Sequence, residues 1–251
     1  MWDLSGRTAL ITGASRGIGA AIAREYAAHG VRVAVNYRQD ADAAERVVRS
    51  LDGAAHVALQ ADVSDPAQVE RLVDDAARAL GRLDILVNNA AIYEMQPFDG
   101  EDYSEWQSAW ARTMRLNLVG AVNASYCALK HMRVQGGGRV ISIGSRGGFR
   151  GEREAPAYAA SKMALVGFTR SLARAGAREG ILAYCIAPGW VDTDMSRPRM
   201  EPRMAQIEAE IPAGRIALPS DVAGVALFLA SDAANYLTGV TIDVNGGSYF
   251  R

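Results

Sequence analysis

No apolar run in this chain approaches the roughly 18 residues a bilayer-spanning helix needs, so no membrane span is expected. The opening MWDLSGRTALITG has no apolar core followed by a cleavage site and does not read as a signal peptide. Cysteine is scarce. Cys127 and Cys185 are too few for a disulfide framework, and both lie in apolar stretches that suit buried thiols. The histidines, His29, His56 and His131, are scattered without ligand spacing, so no metal site is expected. An excess of either charge is missing as well. A net charge of -1 gives no electrostatic reason to expect nucleic acid or an anionic membrane surface. There is no internal repeat, low-complexity stretch or linker; Gly136-Gly137-Gly138 reads as a tight turn into a strand. What remains is 251 residues, 49% hydrophobic, expected to form one cytoplasmic domain with a full core.

Short apolar runs alternate with longer helical patterns. Thr8–Thr12, Val31–Val35, Val57–Gln60, Ile85–Asn88, Val140–Ile143, Leu182–Ile186 and Val240–Val244 read as strands, β-branched and with little alternation. Gly17–His29, Ala41–Ser50, Pro66–Leu80, Tyr103–Arg133, Ala157–Arg178 and Asp221–Ala230 carry apolar residues at helical spacing. Ser64-Asp65-Pro66 and Pro219-Ser220-Asp221 supply caps and first-turn prolines. The alternation predicts an α/β fold, a doubly wound parallel sheet. Residues 192–212, rich in Pro, Met and charge, are the irregular exception and a candidate lid.

Tyr158 and Lys162 stand four residues apart, with Ser145 thirteen residues upstream. Four residues is about one helical turn, so the two side chains share a helix face. A nearby ammonium is expected to lower the phenol pKa, giving a group that moves a proton at a carbon–oxygen bond.

The first strand runs directly into Gly13-Ala14-Ser15-Arg16-Gly17-Ile18-Gly19. Glycines there allow a tight turn and close approach of backbone to a pyrophosphate, and the following helix aims its positive end at that anion. The second strand ends in Asn36-Tyr37-Arg38, with no carboxylate before Asp40. An acid at that point favours NAD(H), whereas arginine accommodates the 2′-phosphate of NADP(H). Arg16 and Arg38 therefore point to NADP(H).

These motifs together resemble the short-chain dehydrogenase/reductase family along almost the whole chain. Thr12–Gly19 matches its cofactor loop, Asp62-Val63 its adenine contact and Asn88-Asn89-Ala90-Ala91 its Asn-Asn-Ala-Gly motif, with Ala91 in place of glycine. Pro188, Gly189, Val191 and Thr193 match the segment against the nicotinamide, and Asp243–Gly247 the C-terminal signature. Asn117, Ser145, Tyr158 and Lys162 fall where the family carries its catalytic tetrad. The resemblance implies a Rossmann-type sheet of seven parallel strands flanked by helices. It implies a ketoreductase with Tyr158 as general acid or base and Ser145 holding the substrate oxygen. Lys162 would bind the nicotinamide ribose, and Asn117 would anchor a relay water.

Within the family the chain looks most like 3-oxoacyl-ACP reductases, through Ile211–Arg215 and Asn245–Tyr249. The two basic residues those enzymes use to dock the acidic carrier correspond here to Gly136 and Glu179, which weighs against an acyl carrier protein partner. A free small-molecule carbonyl or alcohol, including sugars, polyols and diols, is the expected substrate class. The resemblance also implies a homotetramer. Arg146, Arg150 and Arg153 offer either recognition of a substrate carboxylate or phosphate or, as favoured here, an exposed loop neutralised by Glu152 and Glu154. Tyr93, Glu94, Trp190 and Met195 are further candidates for the cleft wall.

Overall fold

Seven parallel strands form one sheet in the order β3-β2-β1-β4-β5-β6-β7. They are β1 Thr8–Ile11, β2 Arg32–Tyr37, β3 Val57–Gln60, β4 Ile85–Asn88, β5 Gly138–Ile143, β6 Ile181–Pro188 and β7 Thr241–Val244. The computed structural model describes residues 2, 4–100 and 102–251. Met1, Asp3 and Glu101, and with them part of the N-terminal reading, lie outside the described residues. The helices are α1 Gly17–Ala28, α2 Ala41–Arg49, α3 Pro66–Leu80, α4 Tyr103–Met114, α5 Ala121–Val134, α6 Arg146–Arg150, α7 Pro156–Gly176, α8 Arg197–Met200, α9 Met204–Ala209 and α10 Pro219–Ala230. Among the described residues no helix is long and apolar enough to cross a membrane.

The lack of alternation in the strands has a direct cause. Successive strand residues point to opposite faces, and both faces are covered. Leu10, Leu86, Val140 and Ala183 pack with Leu72 and Leu80 of α3, Leu129 of α5 and Leu172 of α7. Their chain neighbours Ile11, Val87, Ile141 and Tyr184 pack on the other side with Ile22 of α1, Val47 of α2 and Leu229 of α10. Each fully buried Leu or Ile contributes about 1.5–3 kcal/mol. Partly exposed residues dominate only the edge strands β3 and β7, whereas β1 and β4 are buried throughout. Cys127 and Cys185 are free and buried in these layers.

The chain moves outward in one direction from β1 to β2 and in the other from β4 to β5. The loops after β1 and β4 therefore diverge and leave a crevice at the strands' carboxyl ends.

Three expectations are corrected. The single helix expected over Tyr103–Arg133 is interrupted by a π-helical segment, Arg115–Gly120. There the helix presses on the loop after β3: a Cβ on Gly120 would stand 2.5 Å from the Val63 carbonyl oxygen. Residues 192–212 are not irregular. They fold into α8, a 3₁₀ turn and α9 over a small core of Met200, Ile207 and Ile211, packed with Trp190, Met204 and Ile216. The loop after Ser145 is the short helix α6, whose first turn the Ser145 hydroxyl caps by accepting from Gly147 N at 3.0 Å.

Candidate active site

A cleft of about 400 Å³ occupies the crevice. Its floor is the glycine turn. Gly13 and Gly17 hold φ values of +61° and +57°, where a side chain is strained. A Cβ on Gly13 would stand 2.9 Å from Ala90 Cα, so the loops after β1 and β4 touch backbone to backbone. Asn89 Nδ2 donates to the carbonyls of Thr12 and Gly13 at 2.9 and 3.0 Å, fixing that contact. Ala91 does not carry a positive φ, so its methyl group is accommodated. Gly19 does not line the cleft. It packs beneath the turn, where a Cβ would stand 2.6 Å from Asn89 Nδ2.

The turn fits an anion. Helices α2, α3 and α4 are capped by the carboxylates of Asp40, Asp65 and Asp102. Helix α1 has no side-chain cap and no acid in its first turn, and its first residues, Gly17 and Ile18, line the cleft. Uncapped amides at a helix N-terminus favour a phosphate group. Gly13→Ala is expected to lower stability by about 1–3 kcal/mol through strain and collision, and to weaken dinucleotide binding. Thermal unfolding and a binding titration check both.

Ser15, Arg16, Tyr37, Arg38, Asp62 and Val63 continue the wall. Asn36 also borders it, but its side chain is engaged within the protein. Oδ1 accepts from Gly13 N at 3.0 Å, and Nδ2 donates to the carbonyls of Leu59 and Ala61. Asn36 thus ties the glycine turn to β3 through its side chain while bordering the cleft. Asp40 caps α2 through Ala43 N, which removes the first downstream carboxylate from competition. Arg38 lies 3.9 Å from Asp62, both partly exposed, so its fork remains available to a second anion.

At the other end stand Ser145, Tyr158 and Lys162, all lining the cleft. Pro156 opens α7, which carries the tyrosine and the lysine. Lys162 is only 2% exposed. Its Nζ donates to the Ile143 carbonyl at 2.7 Å and lies 5.6 Å from the Tyr158 ring centre. Burial lowers the Lys162 pKa to about 8. Burial also raises the Tyr158 phenol; Ser145 partly offsets this by hydrogen bonding, the Glu152 carboxylate adds to the rise, and the Arg199 charge opposes it. The expected lowering of the phenol by Lys162 is therefore corrected in this state. Dehydration of both groups dominates, and the ammonium is directed at a backbone carbonyl.

Asn117 is buried and does not line the cleft. Its Oδ1 accepts from Ile92 N at 2.8 Å, and its Nδ2 donates to the Ile92 carbonyl and to Ser161 Oγ. Ser161 Oγ donates in turn to the Tyr158 carbonyl. The π segment thus links the loop after β4 to the turn that carries Tyr158.

Beyond Tyr158, Pro188, Gly189, Trp190, Val191, Thr193 and Met195 line the remaining wall, with Tyr93 opposite. Glu94 does not; it pairs with Arg112 at 3.1 Å. Arg146 departs from the expected exposed loop. It is buried against the cleft, where Nη1 donates to Ser248 Oγ at 2.5 Å, and burial lowers its pKa. Arg153 pairs with Glu154 at 3.7 Å, as the charge alternation suggested. Glu152 and Arg199 also line the cleft, and nothing in their sequence spacing marks them.

A family model described as enoyl-(acyl carrier protein) reductase matches residues 13–249. The 3-oxoacyl-[acyl-carrier-protein] reductase FabG of Escherichia coli K12 is 38% identical over 98% of this chain and 99% of its own length. The chain belongs to the short-chain dehydrogenase/reductase family. FabG of Staphylococcus aureus Mu50 is 37% identical over 97% of this chain and 98% of its own. Among solved structures, a putative NAD(P)-dependent gluconate 5-dehydrogenase from Beutenbergia cavernae, with NADP bound at low occupancy, is 39% identical with a TM-score of 0.89. It covers 98% of each chain. A glucose/ribitol dehydrogenase-type member from Brucella melitensis is 30% identical with a TM-score of 0.91, over 100% of this chain and 99% of its own. The protein is therefore an oxidoreductase of a family that acts on CH–OH and C=O groups with a nicotinamide cofactor.

Proposed function

We propose that this protein is an NADP(H)-dependent ketoreductase acting on a free small molecule, with Tyr158 as its general acid. The observation that carries the reading is the convergence of Ser145, Tyr158 and Lys162 on one end of a cleft whose other end is an uncapped glycine turn. A bound nicotinamide supplies the hydride. The chain supplies orientation and the proton. Ser145 holds the carbonyl oxygen, and Tyr158, whose raised pKa keeps it protonated at neutral pH, gives its proton to that oxygen as it becomes an alcohol. Lys162, still charged at pH 7, holds the cofactor ribose and returns a proton to Tyr158. Asn117 fixes the main chain of Tyr158 through Ser161 and anchors the relay water implied by the family. Residues 192–212 act as a lid over the substrate end. The exposed Val119, Tyr126 and Met163 supply part of a self-association face for a homotetramer.

Arg16 and Arg38 take the 2′-phosphate, supported by the engagement of Asp40 as a cap. Arg38→Asp should weaken NADPH binding roughly tenfold or more, turning the preference toward NADH. Titration of both cofactors onto both proteins tests this, and an unchanged preference rules the assignment out. A carrier-bound 3-oxoacyl substrate is the second reading, favoured by the FabG relatives. Against it, Arg133 beside the expected docking position is already paired with Glu179 at 2.6 Å. A panel of free ketones, sugars, diols and 3-oxoacyl-carrier substrates with NADPH and NADP separates the two.

A further inference from the structure

Arg199 is a cation without an anion. It projects from α8 into the cleft, and its guanidinium carbon lies 3.6 Å from the centre of the Tyr93 ring. The Tyr93 ring in turn stands 4.8 Å from that of Tyr158. The stack therefore sets the guanidinium at the Tyr158 end, away from the glycine turn. Its Nε is buried with no hydrogen-bond partner, and among the described residues no carboxylate pairs with it. Its neighbour Arg197, by contrast, is bound to Asp192 at 2.8 Å. Stacking occupies one face of a guanidinium and leaves the in-plane N–H donors free. Those donors match a carboxylate, which takes two parallel hydrogen bonds. A buried donor lacking an acceptor is unfavourable until one arrives.

We propose that Arg199 anchors a substrate carboxylate, making the substrate a short keto or hydroxy acid whose carboxylate lies a few bonds from the reacting carbon. This rests on the ketoreductase reading above. The Tyr93 ring spaces the guanidinium from the Tyr158 hydroxyl, so the acid group and the reacting oxygen are held at opposite ends of one small molecule. Glu152, which lines the cleft together with Asp40, Asp62 and Asp194, borders Tyr158 and folds over Gly147 rather than pairing with Arg199. It disfavours a dianion and accepts hydrogen bonds from substrate hydroxyls. A single carboxylate with neutral polar substituents satisfies both groups.

The test compares 3-oxobutanoate and 4-oxopentanoate with their methyl esters, using NADPH, in wild type, Arg199→Gln and Arg199→Lys. Wild type is expected to favour the acids. Arg199→Gln should lose roughly 10- to 100-fold more in kcat/KM on acids than on esters, the range of a charge-assisted pair. Arg199→Lys should recover part of the loss, and NADPH affinity should stay within about twofold across all three. Equal use of acid and ester by wild type overturns the proposal. So does an equal loss on both with weakened NADPH binding, which would assign the guanidinium to the cofactor. If nothing turns over, calorimetric binding of 3-hydroxybutanoate to the NADP complex decides. Binding that Arg199→Gln abolishes sustains the anion site and sinks only the ketoreductase reading, whereas no binding to wild type sinks the anion site as well.

Discussion

Tyr158→Phe is expected to lower kcat for carbonyl reduction by roughly 10²- to 10⁴-fold, the usual contribution of a positioned general acid, while leaving the cofactor affinity close to that of wild type. The substitution keeps the ring, and with it the packing on Tyr93 at 4.8 Å. It removes one hydroxyl, the group that Ser145 faces. Among the described residues, the nearest other proton donors in the cleft, Lys162 and Tyr93, are held back from that role. Lys162 is directed at the Ile143 carbonyl, and the Tyr93 phenol is itself pushed up to about 12 by burial. Steady-state rates and an NADPH titration on the same preparation separate lost chemistry from lost binding.

Lys162→Met is expected to abolish turnover while leaving the cofactor-free protein as stable as wild type or more so. The lysine is 2% exposed and, among the described residues, donates only to a backbone carbonyl. Burial depresses its pKa from 10.5 to about 8. At pH 7 the group is charged in both folded and unfolded chains, and its dehydration costs the folded state about 3 kcal/mol. Between pH 8 and 10.5 the unfolded chain still holds a proton that the folded chain has released, so this group makes stability rise with pH across that window. Methionine removes the cost and leaves the Ile143 carbonyl without its donor, so the net gain falls short of the full figure. Denaturant unfolding at pH 7 and pH 10 should show a gain at pH 7 and a smaller difference at pH 10. A loss above about 2 kcal/mol at pH 7 would mean that the buried charge stabilises the fold. Such a pair of results would mark Lys162 as kept for activity at the expense of stability.

The sheet was legible because its physics is local. Strands buried on both faces must be apolar throughout, and Leu10 with Ile11, or Leu86 with Val87, carry that rule residue by residue. The glycine turn was legible because only glycine fits at Gly13 and Gly17. The π segment was not legible, since its cause is a long-range contact between Gly120 and the Val63 carbonyl. The framework role of Asn36 was hidden for the same reason: its partners at Gly13, Leu59 and Ala61 meet only in the folded sheet. The helices within residues 192–212 were missed because short turns with Pro198 and Pro202 lack a full period, and what fixes them is the core of Met200, Ile207 and Ile211. Arg199 and Glu152 carry no motif, so only the folded cleft brings them beside Tyr158. The direction of the phenol shift was misjudged because helix spacing reports proximity and is silent on how much water each group loses.

The most direct measurement is a single turnover: NADPH-loaded protein mixed with saturating ketone, followed by the decay of reduced-nicotinamide absorbance in wild type and in Tyr158→Phe. The expected result is complete decay in wild type, slower in D₂O than in H₂O, and decay at least about a hundredfold slower in the variant. Decay at the same rate in both proteins contradicts proton donation by Tyr158.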